Sequence, residues 1–285
     1  MEKILLAGAS GHVGRHLVRE LKRSGYFVRT LSRSAEPVPG ADEHVRADLT
    51  RPTTLSRVCD GVDAVISCAG ASLSLKMSER ASYMKVDFEG NRNLLDEAQL
   101  VGVKRFVYVS VFNGQKLMHT EYAKAHEYFV LALENSGLPY TVVRPTGFFY
   151  FFLEMLRMAQ QGRSVVLGTG KARTNPIHEA DVARLCVEAL QSGKREIPAG
   201  GPDTFTRQEI VELAFEVVGK QPKITHLPAS VFSGAAKVLH PLNARIAGLL
   251  DFGAAVSTVD VVAPERGVHT LRGYFEEHVA TSVLR

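Results

Sequence analysis

Cysteine and long apolar runs are scarce in this chain of 285 residues. Its three cysteines, Cys59, Cys68 and Cys186, are widely separated and odd in number, which excludes a disulfide framework and favours a reducing compartment. No apolar run approaches the roughly 20 residues that a membrane-spanning helix needs. The first predicted strand begins at Lys3, so no targeting segment is expected before it. We therefore expect a cytoplasmic protein without a membrane span.

An excess of one charge is missing as well. The formal net charge is +4, the isoelectric point is about 8.9, and no more than two Lys or Arg residues occur in a row. Nucleic-acid-binding domains usually concentrate basic residues on one face, so no nucleic-acid partner is expected. A metal site is not expected either, because His119, His126 and His178 do not occur with H-x-x-x-H spacing on one predicted helix.

What the chain does have is a glycine-rich turn between its first predicted strand and helix. The motif is Gly8-Ala9-Ser10-Gly11-His12-Val13-Gly14, and apolar residues at helical spacing follow it up to residue 24. In such a turn the first glycine permits the tight bend, the second lets backbone amides approach a diphosphate, and the third lets helix and strand pack closely. The helix N-terminus adds unpaired N–H groups that attract an anion.

The motif therefore predicts a dinucleotide site. The residues expected to bind the cofactor are Gly8, Ser10, Gly11, His12, Val13 and Gly14. The alternative is a tight turn that needs only a positive φ.

The end of the second predicted strand, 27–32, indicates which dinucleotide binds. Proteins that prefer NAD usually place a carboxylate there for the ribose 2′-hydroxyl, whereas an arginine accommodates the 2′-phosphate of NADP. This chain has Arg33 and Ser34 at that point and no carboxylate, and a guanidinium has the fork geometry that suits a phosphate. We expect NADP(H) to bind here. NAD(H), or an arginine that simply lies on the surface, is the alternative.

Two candidate residues follow the third predicted strand, 44–47. The carboxylate of Asp48 would accept a hydrogen bond from an adenine amino group, or would cap the helix predicted after Pro52. Leu49 lies beside it at the same edge of the predicted sheet. Both interpretations of Asp48 stay open at this point.

Small or constrained residues end the next three predicted strands. Ala69 and Gly70 follow the fourth strand and are small enough for a cofactor sugar to pass close to the backbone. Ser110 ends the fifth strand, and Pro145 stops the sixth. Because the carboxyl ends of parallel strands share one edge of a sheet, we expect these residues to line the cofactor crevice.

The order of strands and helices predicts the fold class. Further strands are predicted at 64–67, 105–110, 140–144, 164–167, 197–201 and 224–226, and further helices at 78–101, 120–135, 179–191, 206–218, 231–239, 246–256 and 271–279. Alternation of this kind predicts an α/β fold with a doubly wound parallel sheet. We expect residues 1–147 to form the cofactor-binding core, and residues 148–285 to form a small C-terminal α/β lobe that completes the sheet and covers the substrate cleft.

These residues resemble those of the short-chain dehydrogenase/reductase superfamily, in its extended, atypical, NmrA-like branch. The motifs that carry the resemblance are the glycine turn, Arg33, Asp48-Leu49, Cys68-Ala69-Gly70, Gly90-x-x-Asn93-Leu94-Leu95, Phe106-Val107-Tyr108-Val109-Ser110, Lys124-x-x-Glu127, Val143-Arg144-Pro145 and Pro176-Ile177-His178-x-x-Asp181. The region from 167 to about 222 is similar to that of divinyl chlorophyllide vinyl-reductases. The resemblance implies a Rossmann fold, an NAD(P) cofactor and oxidoreductase chemistry.

The resemblance also implies a catalytic set that this chain holds incompletely. The superfamily uses a Tyr acid four residues before a Lys, and a Ser after the fifth strand. If Lys124 is the family lysine, Thr120 takes the tyrosine position and Val111 the serine position; the other register pairs Tyr122 with His126. The catalytic candidates are therefore Tyr122 and Lys124, and Lys124 is also expected to hold the cofactor ribose. A half-buried tyrosine and a solvated lysine are the alternatives.

Two functions remain open from the sequence. The first is an NADPH-dependent oxidoreductase that acts on a hydrophobic small molecule, held by the aromatic run at 148–153 and the apolar C-terminal segments. The aromatic run is otherwise explained as core packing, and the C-terminal segments as a flap or a homodimer interface. The second function is a non-catalytic NADP(H)-binding regulator or assembly factor.

Overall fold

The computed structural model describes residues 1–71, 77 and 80–283. In this part of the chain the strands are β1 (Lys3–Ala7), β2 (Phe27–Ser32), β3 (Glu43–Arg46), β4 (Ala64–Ser67), β5 (Arg105–Val109), β6 (Tyr140–Pro145), β7 (Ser164–Leu167), β8 (Arg173–Thr174), β9 (Glu196–Ala199), β10 (Phe205–Thr206) and β11 (Ile224–Leu227). The α-helices are α1 (His12–Arg23), α2 (Asn91–Leu100), α3 (Glu121–Asn135), α4 (Leu153–Gln160), α5 (Glu179–Gln191), α6 (Arg207–Val217), α7 (Ala229–Leu239), α8 (Ala244–Val256) and α9 (Leu271–Val283).

Seven of the strands form one parallel sheet in the order β3-β2-β1-β4-β5-β6-β9. The order reverses between β1 and β4, and doubly wound sheets bind their ligands outside the strand ends at such a switch point. The strand predicted at 197–201 is β9, which pairs with β6 and forms one edge of the sheet. The predicted α/β class with a doubly wound parallel sheet is confirmed.

Helices cover both faces of the sheet. Ile4 of β1 belongs to the same buried cluster as Leu17 of α1 and Leu185 of α5. Its neighbour Leu5 belongs to the cluster on the other face, with Phe129 of α3. Successive strand residues point to opposite faces, so a strand buried on both sides must be apolar throughout, as β1 is.

The C-terminal elements build a third core of their own. β7 pairs with β11 in parallel, β8 pairs with β10 antiparallel, and α4, α6 and α9 pack beside them around Phe215 and Phe275. The predicted start of α6 is confirmed in detail, because the hydroxyl of Thr206 accepts from the backbone N–H of Glu209, and the Glu209 carboxylate accepts from the backbone N–H of Thr206. The proposed division of the chain at residue 147 stays a prediction.

Two predicted helices differ in the structure. The helix predicted over 78–101 begins as a π-helical segment, Met84–Gly90, and becomes α-helical only in α2; its residues 78 and 79 lie outside the described residues. The helix predicted after Pro52 is a single 3₁₀ turn, Pro52–Thr54. Arg57 follows with a positive φ of 65°, a conformation that an L-residue does not adopt inside a right-handed helix.

The structure also gives the state of the three cysteines and the length and polarity of the helices. Cys59, Cys68 and Cys186 are free thiols, the first and last of them buried. Among the described residues, no helix is both long and apolar enough to cross a bilayer.

Candidate functional site

The glycine turn between β1 and α1 has the geometry that a bound diphosphate requires. Gly8 has a φ of +84°, and a Cβ atom there would lie 2.7 Å from the backbone N of Ala69. A Cβ on Gly14 would overlap the carbonyl oxygen of Gly8, so helix and turn approach each other at backbone distance. No side chain caps α1, whose N-cap residue is Gly11. Its first N–H groups are therefore available to an anion.

The predicted 2′-phosphate corner lies after β2 and is open to solvent. Arg33 and Ser34 are both exposed. Their backbone carbonyls are held from the neighbouring strand β3: Arg46 Nε donates to the Arg33 oxygen at 3.2 Å, and His44 Nε2 contacts the Ser34 oxygen at 3.0 Å. The backbone of this corner is thus fixed while the Arg33 guanidinium stays accessible to a phosphate.

Asp48 closes a local turn at the end of β3. Its Oδ1 accepts from the backbone N–H of Thr50 at 2.9 Å and from the Thr50 hydroxyl at 2.8 Å. Burial favours the neutral acid, but these hydrogen bonds and the charges of Arg33 and Arg51 outweigh it and lower the pKa of Asp48. The carboxylate stays ionised close to Arg33. Leu49 is buried, and its carbonyl accepts from Asn93 Nδ2 at 2.8 Å.

Asn91 and Asp87 support the loop that follows β4, and the sequence did not single them out. Asn91 Nδ2 donates to the carbonyl of Ala69 at 3.1 Å, and Asp87 Oδ2 accepts from the backbone N–H of Ala71 at 2.9 Å. A Cβ on Gly70 would lie 2.7 Å from Asp87 Oδ1, so only glycine fits there without a shift. The small residue Gly70 therefore leaves room for the supporting carboxyl group of Asp87.

A buried polar row runs from this loop to the end of β5. His126 Nε2 lies 3.3 Å from Asp87 Oδ1, and His126 Nδ1 lies 2.6 Å from the hydroxyl of Tyr108. Burial raises the pKa of Asp87 to about 8 and lowers the pKa of His126 to about 3. Both side chains are therefore uncharged near neutral pH. The ring of Tyr122 packs edge-on against the His126 ring at 4.7 Å between centroids.

An apolar cavity of about 310 Å³ opens at the carboxyl ends of β5 and β6. Three predicted site residues line it: Ser110, Tyr122 and Pro145. The remaining wall comes mainly from Phe148, Phe151, Phe152, Met155, Val166, Leu249, Phe252, Val256 and Val261. The structure thus joins strand-end residues of the sheet to aromatic and aliphatic residues of the C-terminal elements around one volume.

Polar residues also line this cavity, among them Ser110 after β5, Thr146 after β6 and Tyr122 on α3. The Thr146 hydroxyl is engaged, because it donates to the carbonyl of Asn175 at 2.5 Å. Ser110 is buried, and its hydroxyl has no hydrogen-bond partner among the described residues. Burial, with the nearby Asp87 carboxyl, raises the pKa of Tyr122 well above its usual value. The Tyr122 hydroxyl therefore keeps its proton at neutral pH, and both residues belong to the lining of the cavity.

Lys124 lies away from these residues. It is exposed on α3, and its Nζ sits 5.4 Å from the centroid of the Tyr128 ring. The cavity lining contains Tyr122 but not Lys124. Residues two apart on an α-helix point in nearly opposite directions, about 200° apart, so one face cannot present both.

The aromatic run divides between the two roles that the sequence left open. Phe149 is buried in the C-terminal core, and Phe148 and Phe151 are partly buried and line the cavity. Phe152 does both, because it is buried in that core and also lines the cavity. Tyr150 reaches the other way and stacks on His12 of the glycine turn, with 4.2 Å between ring centroids and 8° between planes. Tyr150 is a site residue that the sequence missed, because nothing local distinguishes it from its aromatic neighbours.

Comparison with known proteins identifies the domain. Residues 8–193 match the model of a family described as NAD(P)H-binding. The chain is 29% identical over 233 residues to the photosystem II assembly factor Ycf39 of Guillardia theta. That alignment covers 79% of this chain and 73% of the assembly factor. It is also 28% identical over 264 residues to the chloroplastic divinyl chlorophyllide a 8-vinyl-reductase of Arabidopsis thaliana. That alignment covers 83% of this chain and 62% of the reductase.

Solved structures agree on the fold. An NADPH-dependent quinone oxidoreductase of Escherichia coli, crystallised with NADPH, superposes with a TM-score of 0.73 at 18% identity, covering 97% of this chain and 99% of that one. The UDP-glucose 4-epimerase of Thermus thermophilus, crystallised with NAD, gives 0.66 at 18% identity over 89% of this chain and 99% of that one. The glycine turn, its open helix end and the family match agree, and the chain belongs to the NAD(P)H-binding family whose model covers its residues 8–193.

Proposed function

We propose that this protein is an NADPH-dependent oxidoreductase of the atypical short-chain dehydrogenase/reductase type that acts on a hydrophobic small molecule. The observation that carries the proposal is the apolar cavity, which begins at Ser110 and Pro145 on the edge of the sheet where the cofactor crevice lies. Its volume of about 310 Å³ falls at the lower end of the range for small-molecule sites, roughly 300–1,000 Å³. A conjugated double bond, a quinone or an aldehyde would suit it.

The chain's residues divide the work of holding the cofactor. The glycine turn and the open end of α1 take the diphosphate, and Arg33 takes the 2′-phosphate. Ala69 and Gly70, which follow β4, are the small residues proposed to lie beside the sugar. NADPH, when bound, supplies the hydride, while the protein orients it and excludes water. His12, the first residue of α1, stacks on Tyr150, and this pair is proposed to lie beside the diphosphate.

Tyr122 and Ser110 are the groups proposed to meet the acceptor. A protonated Tyr122 can donate a hydrogen bond or a proton to an acceptor atom, and the unpartnered Ser110 hydroxyl can help to hold it. The residue four positions after Tyr122 is the neutral His126 rather than a lysine, and no cation among the described residues lowers the pKa of the phenol. Such an arrangement favours acceptors that need little acid assistance. Lys124 is a proposed ribose ligand only.

A second candidate function is supported by one feature of the same site. In one register neutral His126 replaces the superfamily's lysine, and in the other Thr120 replaces its tyrosine. A protein that binds NADP(H) without reducing anything would retain the cofactor turn and lose part of the catalytic set in this way. The similarity to a protein named as a photosystem II assembly factor supports this alternative. Cytoplasmic location stays a prediction, because several similar proteins are named as chloroplastic.

Turnover and binding measured on the same preparation distinguish the two. NADPH binding is measured first by calorimetry, and quinones, enones and aldehydes are then added while NADPH absorbance is followed. Oxidation of NADPH by at least one class, abolished by heat denaturation of the protein, is the result expected of a reductase. Tight NADPH binding without oxidation by any class favours the regulator or assembly factor. Failure to bind NADPH contradicts both.

A further inference from the structure

The cavity has a second polar region that the cofactor and the proposed chemistry do not use. It is formed by Thr174 of β8 and Arg207, the first residue of α6, both in the cavity lining. Thr174 is fully buried, and its Oγ1 has no hydrogen-bond partner among the described residues. Arg207 Nε is buried and equally unpartnered there. Two donors thus lack acceptors on one wall of an otherwise apolar volume.

The remainder of the Arg207 residue is firmly anchored. Its backbone N–H donates to the carbonyl of Ala172 at 3.0 Å, and its Nη2 donates to the carbonyl of Val256 at 3.0 Å. These bonds fix the guanidinium between α6 and the end of α8. The side chain is therefore held at the cavity wall. The described residues give neither Nε nor Nη1 an acceptor, and of the two Nε is the buried one.

The charge of Arg207 has no close counter-ion in the described part of the chain. Burial lowers the pKa of Arg207 to about 10, so the side chain is still a cation at neutral pH. The negative charge of Asp260 opposes this shift, but the two residues form no direct ion pair. The Asp260 carboxylate is engaged elsewhere, because Arg173 donates to it from Nη2 at 2.9 Å and from Nε at 3.0 Å. A buried cation without a paired anion is costly, and a bound anion would relieve that cost.

We infer that the cavity takes an apolar molecule that carries a carboxylate, and that Arg207 Nε and the Thr174 hydroxyl bind that carboxylate. This inference deepens the proposed reductase, and rests on it for one point: the reacting end of the same molecule would face Ser110 and Tyr122. Ser110 follows β5 and Tyr122 lies on α3, whereas Thr174 and Arg207 come from the C-terminal elements β8 and α6. A neutral carbonyl would satisfy the hydrogen bonds but would leave the buried guanidinium charge unpaired, so a carboxylate fits better.

The test compares one carboxylate probe with its neutral ester. The chain has no tryptophan, so the fluorescence of 2-anthracenecarboxylic acid and of its methyl ester can be followed with little protein background. Both are titrated into the wild-type protein, with and without NADPH. We expect the acid to bind about ten- to one-hundred-fold more tightly than the ester, the range of a charge-assisted hydrogen bond lost from a buried site.

Variants test which residues cause the preference for the acid over the ester. Arg207→Gln should remove most of the acid preference and leave ester affinity within about twofold, while Arg157→Gln, on an exposed arginine of α4 paired with Glu154, should change neither. Thr174→Val keeps the shape of the side chain and should weaken the acid severalfold without affecting the ester. It tests the site independently if Arg207→Gln does not fold.

Equal binding of acid and ester by the wild type, no binding of the acid, or an unchanged acid preference in the folded variants overturns the inference. The result is independent of turnover. An Arg207-dependent acid preference without NADPH oxidation by any acceptor keeps the carboxylate site and removes the reductase. NADPH oxidation without an acid preference keeps the reductase and removes the carboxylate site.

Discussion

Arg144 of β6 and Glu127 of α3 form a two-pronged ion pair in the interior, with Nη1 and Nη2 of the arginine 2.5 and 3.1 Å from the two carboxylate oxygens. Arg144 also donates to the carbonyl of Val111, the residue after Ser110, at 3.2 Å. The pair therefore ties the helix that carries Tyr122 to the strand ends that carry Ser110 and Pro145. The glutamate of the Lys124-x-x-Glu127 motif has a structural contact, whereas the lysine of that motif is exposed.

Removing Glu127 should destabilise the protein strongly. Glu127→Ala leaves the buried Arg144 charge with only the more exposed Glu196 as an ion-pair partner, and such losses cost about 3–5 kcal/mol. Urea denaturation gives the free energy of unfolding. The matched change Glu154→Ala breaks an exposed pair with Arg157 on α4 and should cost less than about 1 kcal/mol. Similar losses in the two variants would show that the buried pair has no special role.

Gly14→Ala should disturb the glycine turn. The added Cβ overlaps the carbonyl of Gly8, so the turn must shift, and we expect about 1–3 kcal/mol of destabilisation with a large loss of NADPH affinity. Gly234→Ala is the control, because that glycine lies inside α7 with nothing within 4 Å of the added Cβ. It should stabilise the protein by up to about 1 kcal/mol and leave NADPH binding unchanged. Calorimetric titration with NADPH and thermal melts give both quantities.

Arg33→Ala should change the choice of cofactor. If the exposed guanidinium binds the 2′-phosphate, the variant loses about 1.5–3 kcal/mol of NADPH binding, roughly ten- to one-hundred-fold, and little NADH binding. Arg19→Ala removes another exposed arginine, on α1, and should leave the ratio of the two dissociation constants unchanged. An equal loss of NADPH and NADH affinity in Arg33→Ala would show that the guanidinium does not reach the phosphate.

Tyr122→Phe should lower turnover with whichever acceptor the protein reduces. Because such an acceptor needs little acid assistance, loss of the Tyr122 hydrogen bond should cost about 1–2 kcal/mol, roughly five- to thirtyfold in kcat, and the NADPH dissociation constant should not change. Tyr128→Phe alters a tyrosine on another face of α3, packed against Phe88, and should leave kcat within about twofold. If both variants keep full turnover, Tyr122 is only part of the cavity wall.

Asp87 should give the folded protein a specific pH dependence. Its folded pKa of about 8 lies above its ordinary value of 3.8, so stability falls as pH rises between the two. His126, with its pKa lowered to about 3, offsets this fall below pH 6.5, because there the unfolded chain takes up a proton that the folded chain refuses. The net loss therefore lies between pH 6.5 and 8 and amounts to about 2 kcal/mol.

Asp87→Asn removes the titrating group and tests that assignment. The free energy of unfolding, measured in urea at both ends of the window, should fall by about 2 kcal/mol less in the variant than in the wild type. An identical pH dependence in the two proteins would mean that Asp87 is already ionised in the folded state.

The sequence predicted the parts of the site that depend on local order. Ser110 and Pro145 could be placed together because parallel strands of one sheet end at the same edge. Local geometry also predicts that Tyr122 and Lys124 cannot both point into one cavity, because residues two apart lie on different faces of α3. Gly8 and Gly14 were assigned correctly as positions with special backbone requirements.

The parts that sequence reasoning missed depend on long-range packing. Arg207 is predicted as the start of a helix, but its place in the cavity is set by the carbonyl of Val256, far along the chain. Tyr150 meets His12 only because the aromatic segment folds back over the glycine turn. Asp87 lies in a π-helical segment, which interrupts the regular α-helical period. The direction of its side chain therefore could not be predicted from α-helical spacing.

A crystal structure of the protein with bound NADPH tests the central claim most directly. We predict that the diphosphate lies against the turn from Gly8 to Gly14, that the 2′-phosphate contacts Arg33, and that the nicotinamide enters the cavity beside Ser110 and Tyr122. A nicotinamide that points away from the cavity would remove the proposed reductase. A turn filled by the protein's own side chains, with NADPH absent or elsewhere, would contradict the cofactor site itself.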